Sequence, residues 1–123
     1  MINIIACDDD KDIVRALKIY LSSEGFNVLE AYNGRQVLEL LADNDVQLVL
    51  MDVMMPIMDG YTATRRIRGL SRPDAQSIPI IALTANAFAE DRKKAMEAGM
   101  NDHVAKPVDM KVLTAVLQKY LEK

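Results

Sequence analysis

The apolar runs of this chain leave little choice of fold. Ile4-Ile5-Ala6-Cys7, Leu48-Val49-Leu50-Met51 and Ile80-Ile81-Ala82-Leu83 are short and lack the polar alternation of a half-exposed strand. Strands of that kind are covered on both faces, which calls for a parallel sheet with right-handed crossovers and helices on each side. Strand-like runs are read over 2–7, 27–31, 46–51, 78–83 and 103–105, with amphipathic helical stretches over 10–23, 34–42, 61–69, 86–98 and 110–121. In the first helix Ile13, Ala16, Leu17, Tyr20 and Leu21 share one face at the 3.6-residue period, and Arg15, Lys18 and Ile19 fall on the other. Gly25 and Gly99 stand where C-terminal caps are wanted. The reading is a doubly wound α/β domain of five βα units over residues 1–123, a common length for a single domain.

In such sheets ligands meet the carboxyl ends of the strands. Asp8-Asp9-Asp10 follow the first run, Asp52 the third, Thr84 the fourth and Lys106-Pro107 the fifth. Each has a bland reading: Asp9 or Asp10 as a helix cap, Asp52 as a turn cap, Thr84 as a strand residue, Lys106 as a surface ammonium. Those readings do not explain why all of them fall at one edge. Clustered carboxylates repel one another until a proton or a divalent cation relieves them. Oxygen-only ligation with few protein ligands suits Mg²⁺.

Several function classes are excluded by what accompanies these acids. Ile13 and Ile19 occupy the positions where a calcium loop spaced from Asp8 needs Gly and Glu. No Cys/His cluster, Gly-rich nucleotide loop or Ser/Cys nucleophile with a His partner is present in the pattern. With a net charge of −3 and no basic stripe, direct nucleic-acid binding is not expected. No apolar stretch approaches the roughly 20 residues of a membrane helix, so no membrane association is expected. The N-terminus enters the first strand without a basic region or cleavage site, which reads as cytoplasmic. The lone Cys7 reads as core, and Arg65, Arg66, Arg68 and Arg72 as a solvated face.

Over essentially its whole length the chain resembles the receiver domain of two-component response regulators. The matching segments are Cys7-Asp8-Asp9-Asp10, Met51-Asp52-Val53-Met54-Met55-Pro56 with Met58-Asp59-Gly60, Ile80 to Ala85, Ala98-Gly99-Met100 and Ala105-Lys106-Pro107. The resemblance implies a flavodoxin-like (βα)5 fold with strand order 2-1-3-4-5. It implies that Asp52 accepts a phosphoryl group from phosphohistidine, and that Asp8, Asp9, Asp52 and the Met54 carbonyl hold Mg²⁺. Thr84 and Lys106 would contact the phosphoryl oxygens as a conformational switch, with a cis bond before Pro107. Similar domains relay the switch through an aromatic residue three positions before the lysine. Here that residue is His103, an imidazole in place of the usual Tyr or Phe.

The stretch from Ala82 to Asp109 is similar to receivers attached to hybrid sensor kinases. That implies a phosphorelay, with a sensor histidine kinase or a histidine phosphotransfer domain as partner. Arg15, Lys18 and Ile19 on the first helix are candidate contacts for a helical phosphodonor, Phe88 early in the fourth is one for an output or dimer partner, and dimerisation on phosphorylation is open. Two other classes stay in view. A magnesium-dependent phosphohydrolase also uses an Asp nucleophile on an α/β sheet. Those similar to haloacid dehalogenase phosphatases, however, place it after the first strand. A flavin-binding domain of this topology wants a Ser/Thr/Gly-rich phosphate loop where three aspartates stand.

Overall fold

A computed structural model describes residues 1–85 and 89–121 of the chain. Five parallel strands form one sheet in the order β2-β1-β3-β4-β5. The strands are β1 (Asn3–Cys7), β2 (Asn27–Ala31), β3 (Leu48–Asp52), β4 (Ile80–Thr84) and β5 (Asp102–Ala105). The helices between and after them are α1 (Lys11–Ser23), α2 (Gly34–Asp43), α3 (Gly60–Arg68), α4 (Ala89–Ala98) and α5 (Met110–Leu121).

Alternate strand residues feed two separate cores, as the pleat requires. Ile5, Cys7, Val49, Met51, Ile80 and Ala82 pack with Val37, Leu41, Ala63, Ile67 and Ala95 from α2, α3 and α4. Ile4, Ala6, Leu48, Leu50, Ile81, Leu83 and Val104 pack with Val14, Leu17, Leu21, Leu113 and Leu117 from α1 and α5. Both faces of β3 and β4 are buried throughout, which is why their sequences show no alternation.

The helices begin where side chains cap them. Asp10, Asn33 and Asp59 each accept from a backbone N–H of the first turn, of Asp12, Gln36 and Thr62 respectively. Gly25 and Gly99 take φ of 92° and 107°, the left-handed region that favours glycine just past a helix end.

The structure corrects several expected details. β3 and β4 each start two residues later and end one residue later than the apolar runs suggest, so Asp52 and Thr84 close their strands rather than follow them. Pro79 has no N–H to give the ladder, and the Ile78 N–H turns to the Asp74 carbonyl at 2.9 Å. The buried stripe of α1 is Val14, Leu17 and Leu21, with Ile13 and Tyr20 at its flanks and Ala16 exposed. Residues 86–88, read as the start of the fourth helix, lie outside the described residues, and so does the candidate contact Phe88.

The basic group on α3 is not one solvated face. Arg65 and Arg66 are exposed, but the Arg68 guanidinium turns inward to the Gly99, Ala75 and Ile78 carbonyls and Asn101 Oδ1, at 2.6–3.1 Å. Arg72 pairs with Asp74 and donates to the Leu41 carbonyl at 2.7 Å. Carbonyls between elements have no ladder partner of their own, and a guanidinium with five donors serves several at once.

Candidate functional site

Parallel registration brings the carboxyl ends of four strands to one edge. Cys7 is level with Met51, Asp52 with Leu83, and Thr84 with Ala105. Asp8 therefore stands one residue past β1, Asp52 at the end of β3, Thr84 at the end of β4 and Lys106 one residue past β5. Asp8, Asp9 and Asp52 each offer an oxygen within 4.8 Å of the others. Asp8 is fully buried and Asp52 is 2% exposed, while Asp9 is exposed. The third acid of the run, Asp10, caps α1.

Backbone amides orient the two buried carboxylates. Asp8 Oδ1 accepts from the Asp10 N–H at 3.0 Å, and Asp52 Oδ1 from the Met54 N–H at 3.1 Å. Lys106 Nζ lies 2.6 Å from Asp8 Oδ2 and 3.2 Å from Asp52 Oδ1. The closer contact is a tight ion pair, in which the Lys106 ammonium partners the buried Asp8 Oδ2. One ammonium thus faces three acids. Burial, with the charge of Asp8 adding to it, pushes the Asp52 carboxyl up to about 6 against the lowering pull of the Met54 amide and Lys106. Burial also pulls Lys106 downward, but its hydrogen bond and charge interactions with Asp8 and Asp52 outweigh that and leave it raised.

An all-oxygen cluster of three acids with one ammonium among them is short of positive charge, and that suits a hard divalent cation. The residues present fit Mg²⁺. The Thr84 side chain is nearly buried, and the Thr84 carbonyl accepts from the Lys106 N–H at 2.8 Å, tying the two switch candidates together. The Lys106–Pro107 peptide is cis.

The remaining candidates lie apart from this cluster. His103 pairs with Ala82 two positions back from Thr84 along β4, and its Nδ1 is 3.7 Å from Asp102 Oδ1. Arg15 and Ile19 are exposed on α1, whereas Lys18 is engaged with Glu30 at 2.9 Å. Burial pushes the Cys7 thiol far up, and its Sγ lies 3.4 Å from Met55 Sδ, which is packing rather than nucleophile chemistry.

The floor of the site depends on Gly60. A Cβ there would collide with the Asp52 carbonyl oxygen and lie 2.9 Å from Val53 Cα, both backbone atoms. Gly60→Ala is expected to cost about 1–3 kcal/mol by overpacking, read from the denaturant midpoint.

Residues 4–118 match the response regulator receiver domain, and the chain belongs to that family. It is 38% identical over 120 residues to the sensor histidine kinase RcsC of Escherichia coli, covering 98% of this chain and 12% of the kinase. It thus spans about an eighth of that relative's length. Among solved structures, it is similar to the receiver domain of the sensor histidine kinase PA1611 of Pseudomonas aeruginosa, which has a magnesium ion coordinated in the active-site cleft. That likeness has a TM-score of 0.88 at 35% identity and covers 98% of each chain. A second is the receiver domain of Saccharomyces cerevisiae Ssk1, solved with the histidine phosphotransfer protein Ypd1, with a TM-score of 0.89 at 25% identity over 97% of this chain and 88% of that one. This chain is a receiver domain of two-component and phosphorelay signalling, with strand order 2-1-3-4-5.

Proposed function

We propose that Asp52 is the phosphoacceptor, fed by the phosphohistidine of a sensor histidine kinase or a histidine phosphotransfer domain. The observation that carries this reading is the buried cluster itself: Asp52 oriented by the Met54 amide and set between Asp8 and the Lys106 ammonium. An Asp52 carboxylate oxygen attacks phosphorus, the bond from phosphorus to the donor imidazole nitrogen breaks, and the imidazole departs with that electron pair. Charge spread over the equatorial oxygens needs positive partners in place beforehand. Lys106 supplies one, and the Thr84 hydroxyl donates to a phosphoryl oxygen, drawing the end of β4 toward the acceptor.

Asp8, Asp9, Asp52 and the Met54 carbonyl would hold Mg²⁺, which when bound neutralises charge on the transferred group. Lys106 lies between Asp8 and Asp52, so it swings from the acids toward the phosphoryl oxygens as the charge balance changes. Small acyl phosphates serve as alternative donors, the acyl phosphate on Asp52 hydrolyses slowly, and the phosphorylated form is open to dimerisation. His103 relays the movement along β5, and α1 with Arg15, Lys18 and Ile19 contributes to partner contact. The setting is cytoplasmic, without membrane or nucleic-acid contact.

Incubation with acetyl phosphate and Mg²⁺ tests the reading. Intact mass is expected to rise by one phosphoryl group, persistently, and not to rise with EDTA present. Steady release of inorganic phosphate without a retained adduct would instead support a phosphohydrolase.

Mg²⁺ affinity is expected to rise with pH through about 6, because the cation needs the Asp52 carboxylate and burial keeps its proton on below that value. An affinity flat between pH 5 and 8 contradicts the proposed ligand set.

A further inference from the structure

α1 and α5 both start beside the acid cluster, shortly after Asp8 and Lys106, and run away from it. At their far ends they part over a cavity of about 340 Å³. Ile2 and Phe26, the residues just before β1 and β2, line it together with Leu21, Leu117 and Leu121 from the two helices. Its volume lies at the small end of ligand cavities, roughly 300–1,000 Å³. Among the described residues, none of the large apolar side chains that stand out from the surface, such as Ile19, Met54 or Val112, lines it. The apolar area is therefore gathered inside the cavity rather than spread around it. That suits a small molecule and not a protein partner, which needs a wide patch.

The polar side of the cavity is negative. The Thr114 hydroxyl donates to the Met110 carbonyl at 2.8 Å, and Tyr20 Oη lies 2.5 Å from Thr114 Oγ1 and 3.4 Å from Glu24 Oε1. These three contacts share two hydroxyl protons. With the Thr114 proton on Met110 and the Tyr20 proton in the shorter contact, the Glu24 carboxylate receives none, and the phenol oxygen keeps a lone pair to offer. Glu24 carries the one charge among the described lining residues. α1 ends beside it with no basic residue in its last turn, so the partial negative charge of the helix C-terminus adds to that of the carboxylate. Lys119, in the last turn of α5, turns instead toward Asp102, with Nζ 3.6 Å from Oδ2.

We propose that this cavity binds a small organic cation, an aryl or alkyl group carrying a primary ammonium. The apolar part fills the space between α1 and α5, and the ammonium donates to the Glu24 carboxylate and the Tyr20 oxygen. The site is separate from the acid cluster and does not depend on Asp52 being the acceptor.

The probe is 2-phenylethylammonium, with 2-phenylethanol and 3-phenylpropionate as neutral and anionic counterparts of the same ring and chain. Titrations of the unaltered chain and of Glu24→Gln are followed by amide and methyl chemical shifts, with and without Mg²⁺. Shifts are expected at Tyr20, Phe26 and Leu117, unchanged by Mg²⁺, with a dissociation constant on the order of 1 mM for a ligand this small. Affinity is expected to fall from the ammonium to the alcohol to the carboxylate. Glu24→Gln is expected to weaken the ammonium about fourfold, the scale of an exposed ion pair, and to leave the alcohol unchanged, which shows the cavity intact. Shifts confined to Asp9, Asp52 and Lys106 and reversed by Mg²⁺ would put the amine on the acid cluster and overturn the proposal. Equal affinity for the three probes, an ammonium affinity unaltered in Glu24→Gln, or no binding at millimolar amine overturns it as well.

Discussion

Asp52→Asn is expected to gain no phosphoryl mass from acetyl phosphate or from a phosphohistidine donor, while remaining folded and, without metal, more stable than the unaltered chain at neutral pH. The first effect follows from chemistry: a carboxamide offers no anionic oxygen to form an acyl phosphate. The second follows from burial. The Asp52 carboxyl titrates near 6 when folded and near 4 when unfolded, so protonation favours the folded state. That contribution is fully present below pH about 4 and is lost as pH rises through about 6. At pH 7.5 the ionised side chain therefore costs on the order of 2 kcal/mol, which the amide avoids. Denaturant melts at pH 7.5 and pH 5 are expected to show the variant's advantage shrinking at the lower pH, and Mg²⁺ to stabilise the unaltered chain more than the variant. A mass gain in Asp52→Asn equal to that of the unaltered chain would remove Asp52 from the mechanism. A stability difference independent of pH would show that its charge is relieved by a route other than Lys106 and protonation.

The same carboxylate shows what a sequence can convey. Its place at the end of an apolar run was enough to put it at the sheet edge, because a strand buried on both faces has few ways to sit. Parallel registration then brings Asp8, Thr84 and Lys106 beside it, although they are scattered over nearly a hundred positions. β2 and α5 have the bounds that periodicity gives them, while β4 starts late because Pro79 withholds a donor and Ile78 is drawn into a turn. What the pattern could not convey is where long polar side chains turn. Arg65, Arg66, Arg68 and Arg72 look alike along the chain, yet two are exposed, one serves loop carbonyls and one a carbonyl at the end of α2, because their positions on α3 and in the following loop decide which carbonyls come within reach. Ile57 is equally silent in the sequence. Its positive φ arises from the buried Met55 and the core-packed Met58 on either side, and nothing in the letters Pro56-Ile57-Met58 marks a left-handed residue.

Arg68→Ala is expected to be the most destabilising single change outside the two apolar cores, by about 3 kcal/mol out of the 5–15 typical of a domain. The guanidinium makes five hydrogen bonds to four acceptors, and these lie in different segments: the Gly99 carbonyl and Asn101 Oδ1 between α4 and β5, and the Ala75 and Ile78 carbonyls before β4. Asn101 Oδ1 also accepts from the Ile80 N–H at 2.9 Å, so the same group steadies the first residue of β4. Its burial pulls the guanidinium below its ordinary value, a cost accepted only because the acceptors surround it. Truncation removes the donors and leaves carbonyls that water reaches only in part, which is dearer than deleting both partners of a bond. Arg68→Lys keeps the charge but a single nitrogen cannot serve a fork of acceptors, so it is expected to recover less than half the loss. Arg65→Ala, on the exposed side of the same helix, sets the baseline and is expected to fall within about 0.5 kcal/mol of the unaltered chain. Equilibrium denaturation of the three variants checks the order. If Arg68→Ala lost no more than Arg65→Ala, the clasp between α3, the strand beginnings and the α4–β5 turn would contribute nothing net, and the stability of this end of the sheet would have to come from its apolar packing alone.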